Sequence, residues 1–201
     1  MPPSNAASAT RRLVLGSTSV YRRDLLSRLR LPFAVQAPHV DESPQAGEAP
    51  AALARRLAAA KAAAVAQQHP DAIVIGSDQV ADLAGEPLGK PGNHDNAVAQ
   101  LRRMRGRTVI FHTALTVTCM ETGFTQHDLA PVRVRFRELD DDEIEAYLRA
   151  EQPYDCAGSA KSEGAGIALL DEIDSDDPTA LIGLPLIRTC RMLRAAGLRV
   201  F

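Results

Sequence analysis

The chain has no tryptophan and only three tyrosines and five phenylalanines among its 201 residues. Stacking platforms for bases are therefore scarce, which argues against a reader of single-stranded nucleic acid. An excess of one charge is missing too, since 23 basic residues face 25 acidic ones and the formal net charge is −2. Nothing steers the whole molecule toward nucleic acid or an anionic membrane, so any affinity for phosphate must be local. The cysteines, Cys119, Cys156 and Cys190, are odd in number, widely spaced and form no CxxC pair. Their pattern argues against a disulfide framework or a zinc site and suits a reducing compartment. No run approaches the roughly 20 apolar residues of a membrane span. The opening MPPSNAASATRR also lacks the apolar core of a secretory leader. These absences predict a cytoplasmic protein that does not engage membranes, with residues 1–10 a disordered extension and residues 11–201 one domain. The standard glycine-rich phosphate loops are absent as well.

What is present is organised around Leu13 to Leu26, LVLGSTSVYRRDLL. Leu13-Val14-Leu15 has strand character, Gly16 to Ser19 is a small hydroxyl-rich turn, and Leu25, Leu26 and Leu29 then recur at helical spacing. A strand, a tight loop and a helix N-terminus make a candidate anion site, because the first helical N–H groups are unpaired and the macrodipole is positive there. Arg22 and Arg23 add side-chain charge. On the pattern alone, ordinary capping by Ser and a solvated Arg-Arg face explain the same residues.

Further along, Pro32 to Ala37 reads as extended, and prolines around Asp41 and Glu42 keep those acids out of helix. Ala49 to Gln68 is an alanine-rich helix with Lys61 at its middle; a helical lysine is ordinarily a solvated surface residue. Ala72 to Val80 begins as a β-branched run suited to a strand buried on both faces, with Asp78 at its carboxyl end, where α/β sheets collect ligands. Gly85 to Gly92 reads as a loop that constrains Lys90 between Gly89 and Pro91. Asn93 to Arg105 is an amphipathic helix, Thr108 to Met120 is extended, and Val132 to Phe136 alternates buried apolar with solvent-facing basic positions. Asp140 to Glu143 resembles a metal cluster, but it precedes an apolar-periodic run and is better explained as cap and first-turn acids. Tyr154 to Gly166 is a second Gly/Ser-rich loop, holding Lys161 and Glu163. Ile167 to Leu170 is expected as a strand and Asp171 to Asp177 as an acidic connection. A last helix, Leu186 to Ala196, presents Leu186, Ile187, Cys190 and Leu193 to the core. Alternating strands and helices with Gly-rich loops between them predict an α/β or mixed α+β fold.

Taken together, GSTSVYRRDLL, VDE at Val40 to Glu42, Lys61, GSDQV at Gly76 to Val80, GKP at Gly89 to Pro91, and AGSAKSEGAGI followed by LIGLPL resemble the Maf family of nucleoside triphosphate pyrophosphatases. Within it the chain is similar to the branch that acts on 7-methyl-GTP, which combines an aromatic before the double Arg with SDQV and KSEG. One departure is Val20, where the family usually has proline. The resemblance implies an inosine-triphosphatase-like fold, an elongated mixed sheet with flanking helices and two lobes around a cleft. It implies hydrolysis between the α and β phosphates with a divalent cation, Mg²⁺ or Mn²⁺. By motif match Asp78 would be the proton acceptor or a metal ligand, and Glu42 would help hold the metal. Ser17, Arg22, Arg23, Lys61 and Lys90 would contact phosphates, while Tyr21, Gln79 and Glu163 would choose the base. The expected partner is a nucleoside triphosphate, with no nucleic acid, and a homodimer is compatible with the family. Two other readings stay open: action on dTTP or UTP, and a nucleotide-binding regulator of septum formation.

Overall fold

Strands that begin as short apolar runs form the middle of the sheet. In the computed structural model, which describes residues 11–201, β1 (Leu13–Gly16) lies between β2 (Phe33–Gln36) and β3 (Ile73–Leu83) and is parallel to both. The extension expected at residues 1–10 lies outside the described residues. β5 (Thr108–Cys119) runs antiparallel to β3, β6 (Phe124–Phe136) to β5, and β7 (Leu170–Asp174) to β6. A short β4 (Glu86–Leu88) folds back on β3, which completes a mixed sheet of order β2-β1-β3-β5-β6-β7. The helices are α1 (Val20–Ser27), α2 (Pro50–Ala66), α3 (His94–Met104), α4 (Asp141–Glu151) and α5 (Leu186–Ala195). The expected mixed α/β class is the one observed.

Side-chain alternation along the strands distributes the helices over two faces. Val14, Val74, Val80 and Ala114 point toward α2, where they meet Leu53, Leu57 and Val65. On the opposite face Leu13, Leu15, Ile75 and Leu115 pack against Leu25 and Leu26 of α1 and Met192 and Leu193 of α5. Farther along that face, Phe111, Val132 and Phe136 pack against Leu101 and Met104 of α3 and Ile144 and Leu148 of α4. Two apolar clusters thus sit at the two ends of one ribbon.

The alanine content of α2 has a steric cause. Ala54, Ala58, Ala62 and Ala66 recur every fourth residue and are fully buried against the sheet. Opposite them is Gly76, where a Cβ would lie 2.4 Å from the Ala58 carbonyl oxygen and 2.5 Å from the Ala62 nitrogen. Helix backbone therefore rests directly on strand backbone, as a glycine in a strand permits.

Several boundaries differ from the sequence reading, each for a physical reason. β3 continues to Leu83, so Asp78 lies in mid-strand and not at its end. The segment expected as loop at 85–92 contains β4, because a turn at Ala84–Gly85 brings the chain back on β3. The strand expected at Ile167 to Leu170 is a 3₁₀ turn over Ala165–Leu169, and the strand is displaced onto Leu170–Asp174. That strand is the sheet's edge, where acidic side chains are tolerated and discourage further pairing. Ile187 is 57 % exposed, since the buried face of α5 is formed by Thr189, Met192 and Leu193. Asp140 to Glu143 is a capping arrangement as expected: the Asp140 side chain accepts from the Glu143 N–H, and the Glu143 side chain accepts from the Asp140 N–H.

Candidate functional site

The site begins as a gap in the sheet. β1 stops at Gly16, opposite Gly76, and β4 begins to pair with β3 only at Ala81. On that edge Ser77, Asp78, Gln79 and Val80 have no strand neighbour among the described residues. A cleft of about 720 Å³ opens there, bounded by the loop after β1, the 37–44 segment, α2, the turn after β4 and the loops at 155–163 and 181–183. Alternation along β3 turns Asp78 toward α2 and turns Ser77 and Gln79 toward the opposite face.

Lys61 and Asp78 form the buried centre of the cleft. The lysine Nζ donates to Asp78 Oδ1 at 2.6 Å and pairs with Glu42 Oε1 at 2.9 Å. Lys61 is 5 % and Asp78 6 % exposed, whereas the Glu42 side chain remains 57 % exposed. The usual solvated fate of a helical lysine is overridden because the backbone contact at Gly76 draws α2 down onto the strand that carries Asp78. The segment bearing Glu42 is anchored to the same helix. Arg56 donates to the Ser43 carbonyl at 3.0 Å and to both Glu48 oxygens at 2.6 and 2.8 Å. Those bonds hold the Glu48 carboxyl down at about 2, with the Gln45 N–H as a further donor.

Arg22 completes this end. Its Nε donates to the Gly183 carbonyl at 2.9 Å, and Nη1 lies 3.5 Å from Ser17 Oγ. Desolvation lowers the Arg22 pKa from the ordinary guanidinium value, and the carboxylates of Asp78 and Glu42 oppose it. Ser17 Oγ also accepts from the Ser19 N–H, and Ser19 in turn caps α1 by accepting from the Arg22 N–H. The strand, turn and helix expected at Leu13 to Leu26 are all present, with their capped N-terminus facing the cleft. Lys90 lines the cleft from the exposed turn after β4.

The other end is built from Tyr21, Gln79, Asp155, Cys156 and Glu163. Tyr21 donates a long hydrogen bond to Asp155, at 3.4 Å, and accepts from the Cys156 thiol at 3.7 Å. Burial raises the Tyr21 pKa, chiefly by desolvation and then through Cys156, so the phenol stays neutral. Burial also pushes the Cys156 thiol up to about 11. The Gln79 amide nitrogen has three acceptors within reach of its two N–H groups, Thr113 Oγ1 at 2.9 Å and the carbonyls of Ala180 and Leu181 at 3.0 and 2.9 Å. Because two carbonyls can only accept, the amide orientation is fixed and Oε1 is left as an acceptor for a ligand.

Of the residues expected from sequence, Ser17, Tyr21, Arg22, Glu42, Lys61, Asp78, Gln79, Lys90 and Glu163 all line one cleft. Arg23 does not, and its guanidinium pairs on the surface with its neighbour Asp24 at 3.1 Å. One helical step of about 100° separates it from Arg22, which suffices to turn it away. Three contributors are not among the residues expected to act, although Ser77 stands within GSDQV. Ser77 donates to the Ala114 and Gly183 carbonyls at 2.9 and 3.1 Å, and Gly183 thereby holds both Ser77 and Arg22. Thr113 positions Gln79, and Asp155 stands beside Tyr21. Only the LIGLPL motif hinted that the segment of Gly183 mattered.

The donor set bears on a metal. Asp78 and Glu42 offer hard carboxylate oxygens on either side of Lys61, and no group of three or more metal-ligating side chains occurs among the described residues. Such a set fits Mg²⁺ or Mn²⁺, which keep waters and bind partly through substrate phosphates, and does not fit an all-protein cage.

The chain matches the family model described as "Maf-like protein" over residues 12–196. It is 70 % identical over 190 residues to a protein of Albidiferax ferrireducens named 7-methyl-GTP pyrophosphatase, covering 94 % of this chain and 96 % of that one. Proteins of the same name from a Polaromonas species and from Burkholderia thailandensis are 68 % and 61 % identical. Those matches cover 98 % and 97 % of this chain and 92 % of each relative.

Proposed function

The chain belongs to the Maf family, and from that premise we propose that its cleft hydrolyses 7-methyl-GTP to 7-methyl-GMP and pyrophosphate. The observation that carries this reading is that one cleft brings the Lys61, Asp78 and Glu42 cluster, Arg22 and Lys90 together with Tyr21, the Gln79 acceptor and Glu163. A nucleoside triphosphate calls on both sets, cations for its phosphates and an aromatic, hydrogen-bonding surface for its base. The relatives' printed name supplies the particular base.

The chain's own groups divide the work as follows. Arg22, Lys90 and Ser17 bind phosphate oxygens, helped by the N–H groups at the start of α1. With Oδ1 held by Lys61, Asp78 has Oδ2 to accept a proton from the attacking water. The water oxygen bonds to the α-phosphorus, the bond from that phosphorus to the bridging oxygen breaks, and pyrophosphate leaves with the electron pair. Lys61 orients Asp78 and places positive charge beside the developing negative charge, which is the main source of rate in phosphoryl transfer. With Asp78 as the proton acceptor, Glu42 and the substrate's phosphates would hold the divalent ion, which when bound neutralises phosphate charge and acidifies a water. At the base end, Tyr21 offers an aromatic face and Glu163 a carboxylate to the positive charge of a 7-methylated guanine.

The test is pyrophosphate release from 7-methyl-GTP, GTP, dTTP and UTP with Mg²⁺ or Mn²⁺. Preference for 7-methyl-GTP, lost in Asp78→Asn, supports the reading. Equal or faster turnover of dTTP and UTP would sink the choice of base.

A further inference from the structure

One carboxylate lining the cleft has no role so far. Asp155 lies 3.4 Å from the Tyr21 hydroxyl, on the loop that also carries Glu163. Both carboxylates act on Tyr21, whose proton they help to retain. The nearby cation is already engaged: Lys161 has its Nζ 6.0 Å from the Tyr21 ring centre, but it pairs with Glu151 at 2.7 Å. Neither Asp155 nor Glu163 forms an ion pair among the described residues, so their negative charge is left to the cleft.

We propose that Asp155 is a specificity-determining residue that, together with Glu163, selects a nucleotide whose base carries positive charge over one whose base is neutral. The inference rests on the 7-methyl-GTP reading of the cleft. A base stacked on the face of Tyr21 has its edge near the ring's hydroxyl end, where the Asp155 carboxylate stands. Methylation at N7 makes the imidazole part of guanine cationic, and a carboxylate a few ångströms away attracts that form while contributing little to neutral guanine. Asp155 is exposed in the free protein, so the attraction grows when the bound base displaces water from it.

A second role for the same side chain has to be separated from this one, because Asp155 also accepts the Tyr21 hydrogen bond and could serve only to hold the ring. Asp155→Asn removes the charge but keeps an amide oxygen as acceptor, whereas Asp155→Ala removes both. The measurement is the ratio of kcat/KM for 7-methyl-GTP over GTP, with the ratio of Kd values for 7-methyl-GMP and GMP as a readout independent of turnover. In Asp155→Asn both preferences for the methylated nucleotide are expected to fall about tenfold, which is about 1.4 kcal/mol. A ratio unchanged in Asp155→Asn, with Asp155→Ala weakening both nucleotides equally, overturns the inference and makes Asp155 a prop for Tyr21. If the unaltered protein shows no preference for 7-methyl-GTP over GTP, the proposed function falls and the inference falls with it. A wild-type preference that survives Asp155→Asn sinks the inference alone.

Discussion

Replacing Lys61 by methionine removes the cation from a nearly dry ion pair while preserving most of the side-chain volume. Lys61 and Asp78 are 5 % and 6 % exposed and 2.6 Å apart, so the substitution strands a carboxylate in the interior. Breaking a buried pair from one side costs about 3–5 kcal/mol, because the remaining charge loses its partner without regaining water. The contact with Glu42 adds little, about 1 kcal/mol at most, since that side chain is 57 % exposed and screened. For a chain of this size the loss corresponds to roughly 6–20 °C in Tm. Urea unfolding of Lys61→Met, Asp78→Asn and the double variant forms the decisive cycle. Lys61→Met is expected to be strongly destabilised, and the double variant to recover much of the loss, because no unpaired charge is left inside. A loss below about 1 kcal/mol, or costs that simply add in the double variant, would refute a buried, coupled pair.

The remaining predictions address the frame around that pair. Gly76→Ala places a Cβ 2.4 Å from the Ala58 carbonyl oxygen, so α2 must shift; a stability loss of about 1–3 kcal/mol or more and a drop in kcat should appear together. Val20→Pro should stabilise by about 0.4–1 kcal/mol in denaturant unfolding, because Val20 is the first residue of α1 and the preceding Ser19, at φ −69° and ψ 121°, already suits a residue before proline. Glu48 titrates near 2 in the folded protein because Arg56 and the Gln45 N–H stabilise its charged form. Its folded value lies below the unfolded one of about 4.3, so its contribution is complete above that range and is lost as pH falls toward 2. Stability against pH between 5 and 2 should accordingly be flatter in Glu48→Gln than in the unaltered protein. Cys156, pushed up to about 11 by burial, should be alkylated by iodoacetamide at pH 7 more slowly than an ordinary thiol and gain reactivity only as pH approaches that value.

Local structure was legible in the sequence wherever a single element decides it. Leu13 to Leu26 shows its strand, turn and capped helix, and the amphipathic helix ending at Met104 shows its buried face. The acids at Asp140 to Glu143 declare themselves as a cap by their position ahead of an apolar run. Asp78 and Lys61 are legible only through motifs, because neither has a local pattern that marks it as buried. Their meeting depends on the glycine beneath α2, a contact between residues far apart in the chain. The gap between β1 and β4 is likewise a property of pairing, invisible to periodicity, and it explains why a mid-strand carboxylate can face a ligand. Arg22 and Arg23 look equivalent in sequence, yet helix rotation sends one into the cleft and the other to Asp24. Periodicity misplaces β7 because an edge strand needs little apolar character, and three of the five residues of Leu170–Asp174 are acidic.

Hydrolysis of 7-methyl-GTP in ¹⁸O-enriched water, with the products separated and weighed by mass spectrometry, tests the central claim most directly. If water held at Asp78 attacks the α-phosphorus, one ¹⁸O appears in 7-methyl-GMP and none in pyrophosphate. Label in pyrophosphate, or release of orthophosphate in its place, would contradict the account.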